Sequence, residues 1–470
     1  MRLTREEMWA RMAASDASFN GRFFTGVHST GIYCLPGCRA RKPKPENVVF
    51  YATIDEARAA GLRACLKCRP DEFAQGVDPD LEAMVALVDA VRAQPGQFAG
   101  VAAIAKFGAM SERSLVSALR THYGVTPGAL LTTARIDRAA QLLQAGGSSA
   151  SEVGAEVGYE SDSAFYANFG RRMGMPPAQY RALAGAPGFH LELPPDYRSD
   201  GLLRMLGRDP ESLTEQVDAN QFAITGWAGD DSYLLRGEFC GNTLRVIVEG
   251  KADRFAVHRQ LSRVLGFEQD PKPFEEHVLG LGLGPMIEGR EGLRIPQTST
   301  PYDGLIWSIV GQQVNLRFAF ALRRRLTEVA GESLTGGMLT PPKADRVASL
   351  SIEDLLPHQY SRRKAEYLIE ASKAYLAGTL DLNGLLSAPP AVVERTLLAV
   401  RGLGPWSANY LMMRAFGLPD SVPVGDTGLT SGLAALFDVP RPGPNETVAL
   451  MEKFRPYRSL ACYHIWRSLG

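Results

Sequence analysis

Gly402-Leu403-Gly404-Pro405-Trp406-Ser407-Ala408-Asn409-Tyr410, continued to Val424-Gly425-Asp426-Thr427, is the stretch that decides the fold of this chain. Two glycines flanking one apolar residue free two backbone positions for φ > 0, which predicts a hairpin feeding a helix. The N–H groups at the start of that helix face outward, where an anion such as a phosphate can sit. The helix is expected from Trp406 to Phe416, ending near Gly417. An extended segment interrupted by Pro419 and Pro423 then carries one carboxylate, Asp426, to the start of the next helix. Two readings of Asp426 stand at this level: the N-cap of an ordinary helix–turn–helix junction, or a lone acid beside a phosphate clamp.

The chain has 470 residues, enough for two to four domains, and its 45% hydrophobic and 22% charged content is that of a globular protein. Met1-Arg2-Leu3-Thr4-Arg5-Glu6-Glu7 has no apolar h-region and no run of 18 apolar residues occurs, so a cytoplasmic protein without a membrane span is expected. The formal net charge is zero, which taken alone argues weakly against a nucleic-acid partner. The average conceals an asymmetry. Residues 34–69 hold eight Lys/Arg against three acids, whereas residues 186–299 hold 18 acids against 12 bases. Four of the six cysteines fall within the first 68 residues, a crowding that points to metal rather than to disulfides.

Cys34 and Cys38 are separated by three residues, Cys65 and Cys68 by two, with 26 residues between the pairs. This is the ligand count and knuckle spacing of a tetrahedral Zn²⁺ site, for which a structural role is the default. Thr30-Gly31-Ile32-Tyr33-Cys34-Leu35-Pro36-Gly37-Cys38-Arg39-Ala40-Arg41, with Glu46-Asn47-Val48 and Cys65-Leu66-Lys67-Cys68, resembles the methyl-acceptor domain of the Ada alkylation-response proteins over roughly residues 1–75. The resemblance implies that Cys34 is both zinc ligand and nucleophile, taking a methyl group irreversibly from a DNA methylphosphotriester. Arg39, Arg41, Lys42 and Lys44 form a basic shoulder expected to face DNA. The position after the acceptor, commonly Arg in that family, is Leu35 here.

From Leu81 to Leu183 the apolar spacing is helical, and one grammar occurs twice. Ile104-Ala105 leads through a turn to Ser111-Glu112-Arg113-Ser114-Leu115, and Val153-Gly154 leads through Gly158-Tyr159 to Ser161-Asp162-Ser163-Ala164-Phe165. In each, a serine at the cap position opens a second helix. With Phe169-Gly170-Arg171-Arg172-Met173-Gly174-Met175-Pro176-Pro177, this resembles the AraC-type regulator domain; the alternative is a plain helical bundle. Ala109 stands where the first turn usually has glycine.

Gly185-Ala186-Pro187-Gly188 and Pro194-Pro195 read as a linker, and residues 189–250 show strand character before helical spacing returns near Phe255. The hairpin, helix and Asp426 loop resemble the helix-hairpin-helix DNA glycosylases, and residues 189–470 resemble the AlkA-type 3-methyladenine glycosylases. The resemblance implies that Asp426 is the catalytic carboxylate and that Gly402 and Gly404 hold the DNA backbone. It implies further that Gln313, in the Gln312-Gln313 turn, fills the gap left by an extruded base, and that Trp406, Tyr410 and Trp466 line the base pocket. Trp406 occupies the position that carries a Lys in strand-cutting members, so a monofunctional enzyme is expected. Cys240 and Cys462 read as small buried hydrophobes.

The expected fold is multidomain α+β. Residues 1–78 form a small zinc-bound α/β domain and 79–185 an all-α double helix–turn–helix domain. Residues 186–290 form a β-rich subdomain with a small antiparallel sheet, and 291–470 a helix-hairpin-helix domain. The whole reads as an Ada–AlkA fusion that senses methylated DNA, regulates transcription and excises alkylated bases such as 3-methyladenine and 7-methylguanine. The rival is a damage-recognising transcription factor whose glycosylase half is inactive. Expected partners are alkylated and promoter double-stranded DNA and RNA polymerase, for a nucleoid-associated monomer. No Pro-Cys-His-Arg motif occurs, so the second Ada methyltransferase unit is not expected.

Overall fold

A computed structural model describes residues 3–16, 19–38, 40–74 and 79–469. Arg39, expected at the DNA-facing shoulder, and residues 75–78, at the expected end of the first domain, lie outside the described residues. The chain divides into two units, residues 1–91 with 102–118, and residues 92–101 with 119–470.

In the first unit α1 (Arg5–Ala13) is opened by a capping box in which Thr4 and Glu7 each satisfy the other's backbone N–H. β1 (Phe24–Val27), β2 (Ile32–Cys34), β3 (Val48–Tyr51), α2 (Ile54–Ala59) and β4 (Arg63–Ala64) follow, and the sheet order is β3-β1-β2-β4. Phe24, Tyr33, Leu35, Ile54, Ala57 and Leu62 form its core. Leu35 is therefore spent on packing, which accounts for an apolar residue beside Cys34. Gly26 is required by the same packing, since a Cβ there would stand 2.5 Å from the Tyr51 ring. α3 (Pro70–Ala74) closes the expected first domain and α4 (Pro79–Ala93) begins at the expected start of the second.

α5 (Val101–Phe107) and α6 (Glu112–Tyr123) make the first helix–turn–helix. The Ser114 N–H donates to Ser111 Oγ at 3.1 Å, and Ala109 takes φ +49°, a left-handed conformation that glycine would adopt without strain. The second motif needs no such concession, because its turn residue is Gly158 at φ +94°. There α7 (Pro127–Ala145), α8 (Ala150–Glu156), α9 (Asp162–Met173, capped by Ser161) and α10 (Pro177–Arg181) pack together.

The next elements are β5 (Gly188–Glu192), α11 (Ser199–Leu206), β6 (Glu215–Asp218), β7 (Gln221–Ala228), β8 (Asp231–Cys240) and β9 (Thr243–Glu249). They give an antiparallel sheet of order β5-β9-β8-β7-β6, against which α12 (Arg254–Leu265) packs. One hydrophobic core runs without interruption from Ile136, Phe165, Phe169 and Tyr180 to Phe189, Phe239, Val246, Phe255 and Phe267. Polar contacts cross the same junction: Arg172 pairs with both Asp137 and Glu268, and the Glu192 N–H donates to Gly174 O at 2.7 Å. His258 is sealed there, 2.8 Å from Met173 O, and burial holds its pKa down to about 4. The 185–188 stretch read as a linker, with Gly185 and Pro187 exposed, thus joins two regions that share one core. A Cβ on Gly188 would meet Val246 O at 2.1 Å, so the strand closes only with glycine there. Cys240 is exposed at the end of β8, not buried as its residue type suggested, while Cys462 is buried.

The remaining elements are α13 (Lys272–Gly280), α14 (Pro301–Val310), α15 (Leu316–Ala330), α16 (Ala344–Ser349), α17 (Ile352–Leu355), α18 (Arg362–Leu376), α19 (Pro390–Ala399), α20 (Pro405–Arg414), α21 (Thr427–Phe437), α22 (Pro444–Met451) and α23 (Arg458–Arg467). One core gathers α14, α15, α18, α19 and α20, and another gathers α13, α21 and α23. α20 packs between α14 and α19, and α21 lies on α23. Among the described residues no helix is long and apolar enough to cross a membrane.

Candidate functional sites

Asp426 ends the Pro-broken loop and caps α21, its Oδ1 accepting the Leu429 N–H at 2.8 Å. The same carboxylate takes two indole N–H groups, Trp466 Nε1 to Oδ1 at 2.9 Å and Trp406 Nε1 to Oδ2 at 3.2 Å. Asp426 is therefore an N-cap, the first of its two readings, and it is in addition held half-buried between two indole N–H groups. The loop that delivers it is fixed from two sides. Asn409 accepts the Val422 N–H, while Asp420 pairs with Arg458 at 2.6 Å and Ser459 bonds Leu418 O and the Ser421 N–H.

Trp406 and Tyr410 stack with ring centroids 5.3 Å apart, and Trp466 leans on Tyr410 at 6.2 Å. Trp406, Tyr410, Trp466 and Asp426 all line one cavity of about 1440 Å³. The three residues expected as a base pocket are thus brought together around the expected acid. The cavity also carries residues that sequence reasoning missed: Tyr463, Arg208, Arg414 and Arg467. Arg414 follows Trp406 and Tyr410 at four-residue steps, so its place on that face was readable; Arg208 comes from a loop some 200 positions away and was not.

The hairpin differs from expectation in one respect. Gly402 has φ +94°, and a Cβ there would stand 2.5 Å from the Tyr367 ring, but Gly404 has φ −97° and an extended backbone that any residue adopts. One left-handed position suffices because Gly404 serves as the N-cap of α20, and Pro405 occupies the first turn. α20 ends at Arg414, two residues short of the expected end. Gln312 ties its own turn to the hairpin and α20: its Nε2 donates to Gly402 O at 2.8 Å and to Ser407 Oγ at 2.9 Å. Gln313 is exposed at φ +53° on the rim of the cavity.

In the first unit the four sulfurs of Cys34, Cys38, Cys65 and Cys68 lie within 4.8 Å of one another. A tetrahedron with Zn–S bonds of about 2.3 Å has edges of about 3.8 Å, so the cluster fits Zn²⁺ with small adjustment. Charge makes the same point. Hydrogen bonding between Cys34 and Cys38 holds the Cys38 thiol low and the Cys34 thiol high, so the cluster keeps protons by itself, and four thiolates at this spacing require a cation. Cys38 and Cys65 are buried, whereas Cys34 and Cys68 are partly exposed. Cys68 accepts the Leu35 N–H at 3.4 Å. Lys42 reaches back to Cys38 O at 2.8 Å, Lys44 lies 4.0 Å from Glu46, and Arg41 is exposed.

These features define a helix-hairpin-helix base-excision fold joined to a four-cysteine zinc domain. A family model described as the metal binding domain of Ada matches residues 7–71, a helix-turn-helix domain matches 104–183, and the HhH-GPD superfamily of base excision DNA repair proteins matches 306–456. The chain has the architecture of an Ada–AlkA fusion: Ada-type zinc domain, AraC-type helix–turn–helix domain and HhH-GPD glycosylase domain. It is 26% identical over 492 residues to a Mycobacterium tuberculosis protein named as a probable bifunctional transcriptional activator/DNA repair enzyme AlkA, covering 99% of this chain and 96% of that one. It is 31% identical over 180 residues to the Escherichia coli bifunctional transcriptional activator/DNA repair enzyme Ada, covering 38% of this chain and 49% of that protein. The 3-methyladenine DNA-glycosylase from Archaeoglobus fulgidus superposes with a TM-score of 0.52 at 20% identity, over 59% of this chain and 97% of that one, a likeness of fold.

Proposed function

We propose that this chain is a bifunctional alkylation-response protein: it accepts a methyl group from DNA methylphosphotriesters on Cys34, regulates transcription through its helix–turn–helix region, and excises alkylated bases such as 3-methyladenine and 7-methylguanine. The observation that carries the excision half is the Asp426 carboxylate held by two indole N–H groups at the wall of an aromatic cavity. As the bond from C1′ to the base nitrogen breaks, its electron pair leaves with the base and positive charge builds on the sugar. Asp426 stabilises that charge and orients the water whose oxygen bonds to C1′. A base alkylated at N3 or N7 is already an activated leaving group, so little acid catalysis is needed. With Trp406 where strand-cutting members carry lysine, no amine attacks C1′ and the product is an intact abasic site.

At the zinc domain Cys34, Cys38, Cys65 and Cys68 would hold the metal, which keeps the thiolates deprotonated at neutral pH. The Cys34 sulfur attacks the methyl carbon, the C–O bond breaks, and its electron pair returns to the phosphate as a diester anion. An uncharged triester does not repel the incoming thiolate. Gln313 fills the gap left by the extruded base, while Gly402, Gly404, Arg39, Arg41, Lys42 and Lys44 contact the DNA backbone. The proposal includes the domain limits 1–78, 79–185, 186–290 and 291–470, a monomer that engages RNA polymerase, and association with the nucleoid. Incubation with methylated DNA, followed by analysis of released bases, cysteine mass and borohydride trapping, tests all the chemistry together. Free methylated bases, a gain of one methyl on the peptide holding Cys34 and no trapped conjugate are expected; a trapped conjugate overturns the monofunctional assignment.

A further inference from the structure

The aromatic wall beside Asp426 continues into a cationic one. Trp406, Tyr410 and Arg414 follow at four-residue steps along α20, and the first two rings stack on each other, so a ligand lies along this wall and does not enter it. α23 adds Trp466, which leans on Tyr410, and Tyr463, three residues before it. The Arg414 guanidinium stands 6.0 Å from the Tyr410 ring centroid. Each four-residue step advances about 6 Å, so the Arg414 backbone lies about 12 Å along the helix axis from that of Trp406, whose indole holds Asp426.

The far end lacks acceptors and donors of its own. Tyr463 is 2% exposed, lines the cavity, and its hydroxyl has no hydrogen-bond partner among the described residues. Arg414 is 5% exposed; its Nε donates to Pro296 O at 2.7 Å, while its Nη1 meets a thioether, Met205 Sδ, at 4.0 Å. Arg208, exposed at the rim, meets the same sulfur at 3.7 Å, and half-buried Arg467 also lines the cavity. Among the described residues none of these three guanidiniums has a carboxylate within ion-pair distance. Burial raises the Tyr463 pKa against the opposing pull of Arg414, Arg467 and Arg208, so the hydroxyl keeps a proton to donate. A buried hydroxyl and a buried guanidinium without anionic partners are unfavourable unless a ligand supplies an oxyanion.

The two ends of the cavity therefore have opposite polarity. Asp426 and the aromatic faces attract positive charge, and the far end attracts negative charge. A backbone phosphate beside the extruded sugar belongs at the Asp426 end, which leaves an anion carried by the base itself. The volume of about 1440 Å³ exceeds the roughly 300–1,000 Å³ of ordinary small-molecule sites, so there is room for a base and a substituent arm.

We propose that Tyr463, Arg414, Arg467 and Arg208 form an oxyanion subsite that adds carboxyalkylated purines to the bases this chain excises. Such a base is a zwitterion, its ring cationic after alkylation at N3 or N7 and its arm ending in a carboxylate, and it meets both ends of the cavity at once. Methylated bases are too short to reach the subsite and are handled at the Asp426 end alone. The bond broken is the same glycosidic bond: water supplies the oxygen to C1′ and the electron pair leaves with the base. This deepens the reading of the cavity as a base pocket and rests on it.

Carboxymethyl and carbamoylmethyl arms have the same size and differ in charge, which suits the test. Duplex DNA carrying one or the other adduct at matched content is incubated with the full chain, and released bases are measured by mass spectrometry. The intact protein is expected to release carboxymethylated bases roughly tenfold faster than carbamoylmethylated ones. Tyr463→Phe and Arg467→Gln are each expected to lower that ratio about threefold, and Tyr463→Phe to do so with no fall in melting temperature, since the hydroxyl it removes has no partner in the folded chain. Equal release of the two bases, release of neither, or an unchanged ratio in both variants overturns the subsite. So does an equal loss of affinity for all duplexes with the ratio unchanged, the signature of a backbone phosphate contact. Free 7-(carboxymethyl)guanine and 7-(carbamoylmethyl)guanine, titrated against tryptophan fluorescence, separate the two readings. Tighter binding of the carboxylate by a protein that releases no base from alkylated duplex sinks the excision reading and leaves the subsite standing.

Discussion

At the four-sulfur cluster the candidate nucleophile sits among three groups of its own kind, whereas in the cavity Asp426 meets only donors: two indole N–H groups and the N–H of Leu429. The sulfurs cannot ionise together without a cation, so that site is complete only with its metal. The carboxylate is held by uncharged groups of the chain itself and needs none. The difference teaches that one chain can hold two anionic groups by different means, one through a bound ion and one through folding alone. The cavity is lined wholly by residues between Met205 and Leu469, which belong to the second unit.

The sharpest way to break the comparison is Asp426→Asn. Asparagine still caps α21, so folding is preserved, but the charge facing the sugar is lost; base release is expected to fall by about three orders of magnitude or more in single-turnover assays, with methyl transfer to Cys34 untouched. Release of 3-methyladenine at the original rate removes Asp426 from catalysis.

Metal removal is the converse. A strong thiol-competent chelator is expected to abolish methyl transfer and melt the first unit, as followed by hydrogen exchange over residues 24–64, while base release changes less than about twofold. A parallel loss of base release would show that the two sites are not independent.

Methylation of Cys34 sharpens the electrostatic side. Four thiolates on Zn²⁺ carry a formal charge of about −2, and one methyl leaves about −1. At an effective dielectric near 20 and roughly 6–8 Å, one unit charge against a phosphate is worth about 2–3 kcal/mol before screening, so promoter affinity is expected to rise about tenfold at low salt and to converge as salt increases. Equal affinities of the unmodified and methylated protein at low salt sink this switch.

The smallest expected effect belongs to Trp466→Phe, which keeps a ring beside Tyr410 and deletes one N–H from the carboxylate. A charge-assisted hydrogen bond of about 1.5 kcal/mol corresponds to roughly a tenfold fall in the rate of base release, with stacking of the bound base largely retained. A fall as large as that of Asp426→Asn would mean that the indole N–H, and not the ring, makes the site.

Much of this was legible in order along the chain because its signals are local. Cys34, Cys38, Cys65 and Cys68 announce a metal by spacing, serines at 111 and 161 announce helix starts, and Gly402 announces a left-handed turn, each through chemistry confined to a few neighbouring residues. Signals that rest on one backbone angle were less secure. Gly404 looked like a second left-handed position and is an extended N-cap, because the demand for φ > 0 depends on the path of the turn and not on the presence of glycine.

The sequence by itself determined the three kinds of domain, the four sulfurs and the acid at the helix start. Only the tertiary structure decided that one core runs from Ile136 to Phe267 across the 185–188 stretch, that Trp406 and Trp466, 60 positions apart, share one carboxylate, and that Arg208, Arg414 and Arg467 line its cavity. The physical reason is that turns, caps and metal knuckles are set by the chain's local geometry. A shared core and a cavity wall depend on which distant surfaces exclude water from each other, and that is decided only when the elements pack.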